Sequence, residues 1–123
     1  NIKTLQLSYA RAGHPYPILI RPGQDLQKLE IRGSLLGIFE QAEFPQKTIQ
    51  LQPGDKLLLY SDGAEPFIGT FEDQSGFSFN DEFLKITNLP VEEMTEAFND
   101  ILQKQKIRTS EIDDITTVAL QIL

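Results

Sequence analysis

The sequence predicts an α+β domain with a mainly antiparallel sheet. Segments with strand patterns come first along the chain, segments with helix patterns follow, and one further strand pattern ends it. Strands and helices segregated in this way are typical of α+β folds, whereas parallel sheets need alternating strands and helices. With 123 residues, 40% of them apolar, the chain is large enough for a hydrophobic core, and we expect one domain over residues 1–123.

Four segments before residue 52 have strand patterns. Residues 2–10 alternate apolar and polar side chains, and residues 17–20 are an apolar run that follows a turn at residues 12–15. The spacing of these two segments predicts a hairpin with a loop longer than two residues. Residues 26–31 are predicted as a third strand or an edge segment, and residues 47–51 alternate again.

Residues 56–60 are predicted as a strand that is covered on both faces, because the run is almost continuously apolar. A strong turn signal at residues 52–55 precedes it. We interpret Asp55 as part of this turn rather than of a metal motif. The strand is expected to end at Ser61, directly before Asp62 and Gly63.

The second half of the chain contains the helix patterns. Residues 73–79 are predicted as irregular, and residues 80–86 as a short helix capped by Asn80. Residues 90–105 are predicted as a longer helix, because apolar residues recur there at spacings of three and four. This apolar stripe consists of Val91, Met94, Phe98, Ile101 and Leu102. Residues 114–123 are rich in β-branched residues and alternate, which predicts a final strand.

Composition argues against several classes of function. The formal net charge of -7 disfavours nucleic acid and anionic membrane surfaces as partners. The chain has no Cys, so disulfides, thiolate zinc sites and a cysteine nucleophile are excluded. No apolar run approaches the roughly 20 residues that a membrane span needs, and the start of the chain does not resemble a signal peptide. We therefore expect a cytoplasmic protein, and the start at Asn1 suggests part of a longer chain.

Two groups of carboxylates are predicted at strand ends. Asp62 follows the strand at residues 56–60, and Asp113 and Asp114 precede the final strand. If these strands are neighbours, Asp62 and Asp113 converge at one end of a sheet, where carboxylate oxygens suit Mg²⁺ or Mn²⁺. Gly63 would let the backbone turn sharply and leave room for an ion. The alternative is that both groups are ordinary turns, since Asp-Gly and Asp-Asp are common turn sequences.

Two further side chains could take part in chemistry. His14 is the single histidine, so it cannot form a zinc site with thiolate or histidine partners. It is either a phosphate contact or general acid, or a structural turn residue within Gly-His-Pro. Ser61 has neither a nucleophile motif nor a nearby base in the sequence, so we assign no catalytic nucleophile.

Four landmarks in order resemble the C-terminal part of a SpoIIE/RsbU-type serine phosphatase domain of the PP2C-like family. The first is Tyr-Ala-Arg-Ala-Gly-His-Pro-Tyr-Pro at residues 9–17, and the second is Leu-Leu-Gly-Ile at residues 35–38. The third, at residues 51–63, ends in Ser-Asp-Gly, and the fourth is Asp-Asp-Ile-Thr at residues 113–116. The resemblance spans nearly the whole chain.

The resemblance implies a PP2C-like fold, with antiparallel sheets sandwiched between helices, present here as an incomplete C-terminal portion. It implies a two-metal Mn²⁺ or Mg²⁺ site that hydrolyses phosphoserine or phosphothreonine. By this analogy Asp62 and Asp113 are metal ligands, while Gly63 and Asp114 support them. The family acts in bacterial signalling on small phosphoproteins such as anti-sigma-factor antagonists, often downstream of sensor or receiver domains.

The sequence departs from the family pattern in three places. It lacks a Gly-Asp-x-x-Gly-x-Gly-like segment, which supplies a further aspartate ligand in the family. Arg11 stands where the family commonly has Asn, and Ala64-Glu65-Pro66 replaces the usual Val-Thr-Glu. We therefore expect little or no turnover from this chain alone.

Two alternatives to an enzyme remain open. The first is a non-catalytic phosphatase-like module that binds a partner or dimerises. The second is an unrelated α+β domain in which the landmarks are coincidental turns. An incomplete sheet exposes an apolar face and an unpaired strand edge, which predicts self-association.

Overall fold

The computed structural model describes residues 1–73, 76–106 and 114–123. Within these ranges, the strands are β1 (Gln6–Tyr9), β2 (Ile18–Ile20), β3 (Gln27–Lys28), β4 (Lys47–Gln50), β5 (Lys56–Tyr60), β6 (Gly69–Glu72), β7 (Gly76–Phe79) and β8 (Thr117–Gln121). The helices are α1 (Glu65–Ile68), α2 (Asp81–Ile86) and α3 (Val91–Lys106), and a 3-10 turn covers Asp62–Ala64. None of the described helices combines the length and apolar character that a membrane crossing requires.

The largest sheet has the strand order β3-β2-β5-β8, so β5 lies between two other strands. β2 pairs antiparallel with β3 and with β5. β8 runs antiparallel to β5, since Ile122 N–H bonds Asp55 O at 2.8 Å and Ser61 N–H bonds Thr116 O at 2.9 Å. The prediction of an antiparallel α+β fold is confirmed, and the short β3 is the edge segment expected within residues 26–31.

The predicted hairpin between the first two strands is wrong. β1 pairs with β4 instead, in the register Leu7↔Ile49, and Ser8 Oγ lies 2.8 Å from Thr48 Oγ1 across the pair. Leu7 and Ile49 both pack on the core below them. Pairing with β4 places both side chains against the core, which stabilises the fold. The spacing of segments in the sequence does not show which pairing gives the greater burial.

The chain divides into two compact units, Asn1–Leu59 with Leu120–Leu123, and Tyr60–Ala119. The core of the first unit is formed by Leu19, Leu29, Leu51 and Leu57, all at most 7% exposed. Partly buried apolar residues that pack against it are Leu5, Leu7, Tyr9, Ile49 and Ile122. The alternating pattern of β1 and β4 therefore reflects one apolar face on this core.

A buried ion pair fixes the turn that enters β5. Asp55 is 1% exposed and accepts hydrogen bonds from Arg21 Nε at 2.9 Å and Nη2 at 2.6 Å. Gln52 N–H donates to the same carboxylate at 2.9 Å. Burial raises the pKa of Asp55, but the bonds from Arg21 and Gln52 outweigh it, and the pKa lies below its ordinary value. The turn prediction for Asp55 is confirmed, and the ion pair is an addition that the sequence did not indicate.

Aromatic side chains form the core of the second unit. Phe83 is 1% exposed, lies edge-on to Phe98 at 5.8 Å between ring centroids, and stacks with Phe79 at 6.1 Å. Phe79 in turn meets Phe77, which lies edge-on to Phe71. The prediction of irregular structure over residues 73–79 is wrong, because β6 and β7 form a hairpin in the register Phe71↔Phe77. The edge-on ring contacts of Phe77 with Phe71 and Phe79 stabilise these strands despite Gly76.

The two predicted helices are present. Met94, Phe98 and Leu102 of α3 are at most 7% exposed, as expected for the apolar stripe. Asn80 occupies the cap position of α2, but its side chain makes no capping bond. Its amide instead donates to Pro66 O at 2.9 Å, so Asn80 connects α2 to α1.

Candidate functional site

The strand β5 ends in a tight turn that carries Asp62. Ala64 N–H donates to Ser61 O at 2.9 Å, which closes the 3-10 turn. The carboxylate of Asp62 is exposed, and its Oδ1 accepts a bond from Gly63 N–H at 3.0 Å. This bond orients the carboxylate, and among the described contacts its other oxygen accepts no protein bond and can accept one from solvent or a ligand.

Ser61 joins this turn to the start of β8. Its N–H donates to Thr116 O at 2.9 Å, and its Oγ accepts a bond from Thr116 N–H at 3.0 Å. The same hydroxyl donates to Asp114 O at 3.3 Å. Thus the backbone that carries Asp62 and the backbone that carries Asp114 are held together by one side chain.

The predicted site residues therefore divide into those that the structure describes and one that it does not. β5 and β8 are neighbours, as the convergence hypothesis requires. Asp62 and Asp114 are both exposed at the adjoining ends of these strands. Asp113 lies outside the described residues, so its role as a metal ligand remains a prediction.

The chemistry of the donors fits a hard divalent cation in part. Exposed carboxylate oxygens are the ligands that Mg²⁺ and Mn²⁺ prefer. Within residues 1–73, 76–106 and 114–123, no group of three or more Asp, Glu or His side chains is arranged to hold an ion. The described residues are thus compatible with such a cation and supply fewer ligands than a complete site.

The backbone turns sharply at Gly63, as predicted, but the φ of this turn does not require glycine. Gly63 is part of a 3-10 turn and is not among the glycines with positive φ, so residues with a side chain can adopt its conformation. Its contribution in the structure is the N–H that bonds Asp62. The role of Gly63 in leaving room for an ion remains a prediction.

Tyr60, immediately before Ser61, is buried but has an unsatisfied hydroxyl. The residue is 2% exposed, and its OH has no hydrogen-bond partner among the described residues. Burial, with a smaller effect of the Glu65 charge, raises the pKa of Tyr60 to about 12. The phenol is neutral at physiological pH, and the ring is part of the core.

His14 is exposed in the loop between β1 and β2. Its Nδ1 lies 3.1 Å from Pro15 O, and its carbonyl oxygen accepts a 2.6 Å bond from Arg11 Nε. The Arg11 guanidinium also lies 4.4 Å from the centre of the Tyr16 ring. Arg11, the departure from the family's Asn, therefore braces the loop. A phosphate contact by His14 remains a prediction.

Two glycines allow the first landmark segment to approach residues 33–35 closely. Gly13 has φ +89°, which favours glycine, and a side chain there would meet the end of the Leu35 side chain. A side chain at Gly33, which precedes the Leu-Gly segment, would collide with the carbonyl of Arg11. The contact at Gly13 is thus with a side chain, and the contact at Gly33 is with backbone. The order of motifs in the sequence could have suggested these contacts, but no single motif does.

The fold that positions these residues is that of PP2C-type phosphatases. The RsbU and RsbW domains of Rv1364c from Mycobacterium tuberculosis match 96% of this chain with a TM-score of 0.66 and 22% identity. RsbX in complex with magnesium matches 100% of it with a TM-score of 0.65 and 20% identity. The phosphatase domain of the cell fate determinant SpoIIE from Bacillus subtilis, presoaked with Mn, matches 99% with a TM-score of 0.62 and 19% identity. At these identities the likeness is one of fold.

The chain belongs to the SpoIIE family, whose model, described as stage II sporulation protein E, matches residues 1–123. The resemblance inferred from the four landmarks is therefore confirmed. No curated protein sequence matches the chain significantly. The chain spans 33%, 52% and 53% of the three solved chains above, so it corresponds to a third to a half of their lengths.

Proposed function

We propose that this chain is the C-terminal part of a metal-dependent protein serine/threonine phosphatase of bacterial signalling. The observation that carries the proposal is the junction at Ser61, which ties the Asp62 turn to the start of β8 at Asp114. Membership of the SpoIIE family supports the same function. A cytoplasmic phosphoprotein of the anti-sigma-factor antagonist type is the proposed substrate, and sensor or receiver domains are the proposed regulators.

In this proposal, Asp62 and Asp113 bind Mn²⁺ or Mg²⁺, and Asp114 orients its neighbours. The bound ions would supply electrostatic activation of water and of the phosphoryl group. Gly63 N–H bonds Oδ1 of Asp62, and Oδ2, which has no protein donor among the described contacts, is available to a cation. Two such ions need several carboxylates, and the family's Gly-Asp-containing segment would have to provide the rest.

The first test is hydrolysis of p-nitrophenyl phosphate in the presence of Mn²⁺. The 123-residue chain is expected to show little or no turnover, because its aspartates form only part of a two-ion site. Robust turnover that Asp62→Asn abolishes would refute the partial-site argument and show that the chain is sufficient.

The second test concerns the parent protein. Its gene is read upstream of this chain, and the encoded protein is assayed on the same substrate and on a phosphoserine protein. A Gly-Asp segment with nearby glycines, together with Mn²⁺-dependent turnover that Asp62→Asn removes, would support the phosphatase. A parent protein that lacks both would rule it out and favour a non-catalytic module.

A non-catalytic binding or dimerisation module is the second candidate, and exposed apolar side chains favour it. In the loop between β3 and β4, Leu36 is 74% exposed, Ile38 64% and Phe39 60%. Large contiguous exposed apolar patches mark protein interaction sites, and these three side chains lie within four consecutive residues of the chain. Self-association is therefore expected, and multi-angle light scattering that finds only monomer at all concentrations would contradict it. Leu36→Ser with Phe39→Ser should shift any dimer to monomer, whereas Ile2→Ser, also exposed, is the matched control.

A further inference from the structure

We infer that Ser61 is a positioning residue that sets the geometry of the Asp62 and Asp114 segments for cation binding. This inference deepens the proposed function and rests on it. We assign Ser61 no part in the chemistry, because the described bonds of its hydroxyl go to backbone. The oxygen accepts a bond from Thr116 N–H at 3.0 Å, and the O–H donates to Asp114 O at 3.3 Å.

The hydrogen bonds of the Ser61 hydroxyl lie where the end of β5 meets the segment that precedes β8. The backbone bond from Ser61 N–H to Thr116 O, at 2.9 Å, continues the pairing of β5 with β8. Asp62 follows Ser61 in a 3-10 turn, and Asp114 lies two residues before Thr116, ahead of β8. The hydroxyl of Ser61 links these two backbone segments through Thr116 N–H and Asp114 O. Without it, the backbone at Asp114 would lose an anchor beside the turn that carries Asp62.

A cation site is sensitive to such an anchor. Ions of the Mg²⁺ type require ligands at fixed distances, and residues that orient the ligands typically change metal affinity by about 10- to 100-fold when they are replaced. An exposed carboxylate on an unanchored segment must be ordered when the ion binds, and this ordering costs affinity. The inference therefore predicts weaker binding of the ion without Ser61, in a protein that is still folded.

The test uses the whole chain, NMR spectroscopy and Mn²⁺ alone as the probe. Ser61→Ala removes the hydroxyl, Ser61→Cys replaces it with a poor hydrogen-bonding group of similar size, and Ser61→Thr retains it. Amide exchange of Thr116 should become about fivefold faster in the Ala and Cys variants, as expected for one lost hydrogen bond. It should stay near the wild-type rate in Ser61→Thr.

In the same samples, Mn²⁺ broadens amide signals near its site. The Mn²⁺ concentration that half-broadens the Asp62, Gly63 and Asp114 signals should rise about tenfold in the Ala and Cys variants, and Ser61→Thr should restore it. Ser8→Ala is the matched control, because Ser8 also makes a cross-strand hydroxyl contact, at 2.8 Å to Thr48, in another part of the chain. It should leave both measurements at wild-type values.

The outcomes separate this inference from the proposed function. Unchanged Thr116 exchange in the Ala and Cys variants would show that the hydroxyl holds nothing. Faster exchange with an unchanged Mn²⁺ dependence would overturn the positioning role and leave the proposed site standing. If Mn²⁺ broadens none of the three signals in the wild type, the proposed metal site fails, and the inference fails with it. If Ser61→Ala does not fold, Ser61→Cys decides the result alone.

Discussion

The two ends of β5 each carry an aspartate beside a glycine, yet the two aspartates are in opposite situations. At the start of the strand, Asp55 is buried and its carboxylate is satisfied by Arg21 and by Gln52 N–H. At the end, Asp62 is exposed, and within the described residues it accepts a bond from Gly63 N–H. The first aspartate is saturated with protein partners, whereas the second retains the capacity to bind something else.

The hydrogen-bond partners of a carboxylate, rather than its sequence motif, distinguish a structural aspartate from a candidate metal ligand. A buried charge is tolerated only when hydrogen bonds and an opposite charge compensate for its desolvation. An exposed carboxylate is hydrated and has no such requirement. The start of β5 should therefore govern stability, and the end of β5 should govern binding.

The largest effect is expected from Arg21→Ala. It leaves the buried Asp55 charge without its main partner, which should lower the free energy of unfolding by about 3–5 kcal/mol. Urea denaturation followed by circular dichroism measures this loss. Arg32→Ala is the control, because Arg32 is exposed, and its cost should stay within about 0.5 kcal/mol. A loss below about 1 kcal/mol for Arg21→Ala, the value of a surface pair, would remove the contrast between the two ends.

The second-largest effect is expected in the pH dependence of the free energy of unfolding, through Asp55. The pKa of Asp55 is lower in the folded state than in the unfolded state, so its contribution to stability is complete above the unfolded pKa of about 4. That contribution is lost as the pH falls through the lower folded-state pKa, because the unfolded state binds the proton first. The difference in unfolding free energy between wild type and Asp55→Asn should therefore shrink on acidification. Parallel pH profiles of the two proteins, measured by urea denaturation, would contradict this.

A smaller effect is expected from Tyr60→Phe near the end of β5. The removed hydroxyl is buried and lacks a partner among the described residues, so stability at pH 7 should be unchanged or higher by up to about 1 kcal/mol. Its pKa of about 12 lies above the ordinary value of 10.0, so the wild type should lose stability as the pH rises from about 10 to 12. The variant should lack this loss. Tyr16→Phe is the control at pH 7, and a loss above about 1 kcal/mol for Tyr60→Phe would indicate a partner outside the described residues.

The smallest effect on stability is expected from Asp62→Asn. Its carboxylate is exposed and has no buried partner among residues 1–73, 76–106 and 114–123, so the free energy of unfolding should change by at most about 0.5 kcal/mol. The same variant should lose the Mn²⁺ broadening at Gly63 and Asp114, because the proposed ligand is gone. A large loss of stability would instead class Asp62 with Asp55 as a structural residue.

Local patterns predicted the elements of the fold well. Three local patterns indicated both an element and its buried face. They are the apolar run of β5, the apolar stripe of α3 and the β-branched run of β8. The candidate site was approached in the same way, through acidic residues at the ends of two strands. Asp113 remains untested because it lies outside the described residues, while the link through Ser61 was missed, since a serine between a strand and an aspartate has no distinctive pattern.

The α+β class, the positions of the main strands and helices, and the family could all be predicted from the sequence. Periodicity and ordered motifs are local properties of the chain, so they need no tertiary information. Three contacts are visible only in the folded protein: the pairing of β1 with β4, the hairpin that pairs Phe71 with Phe77, and the bond between Asp55 and Arg21, which lies 34 residues away. These choices depend on which distant surfaces gain most from being buried together. That gain belongs to the packed molecule and cannot be read from any single segment.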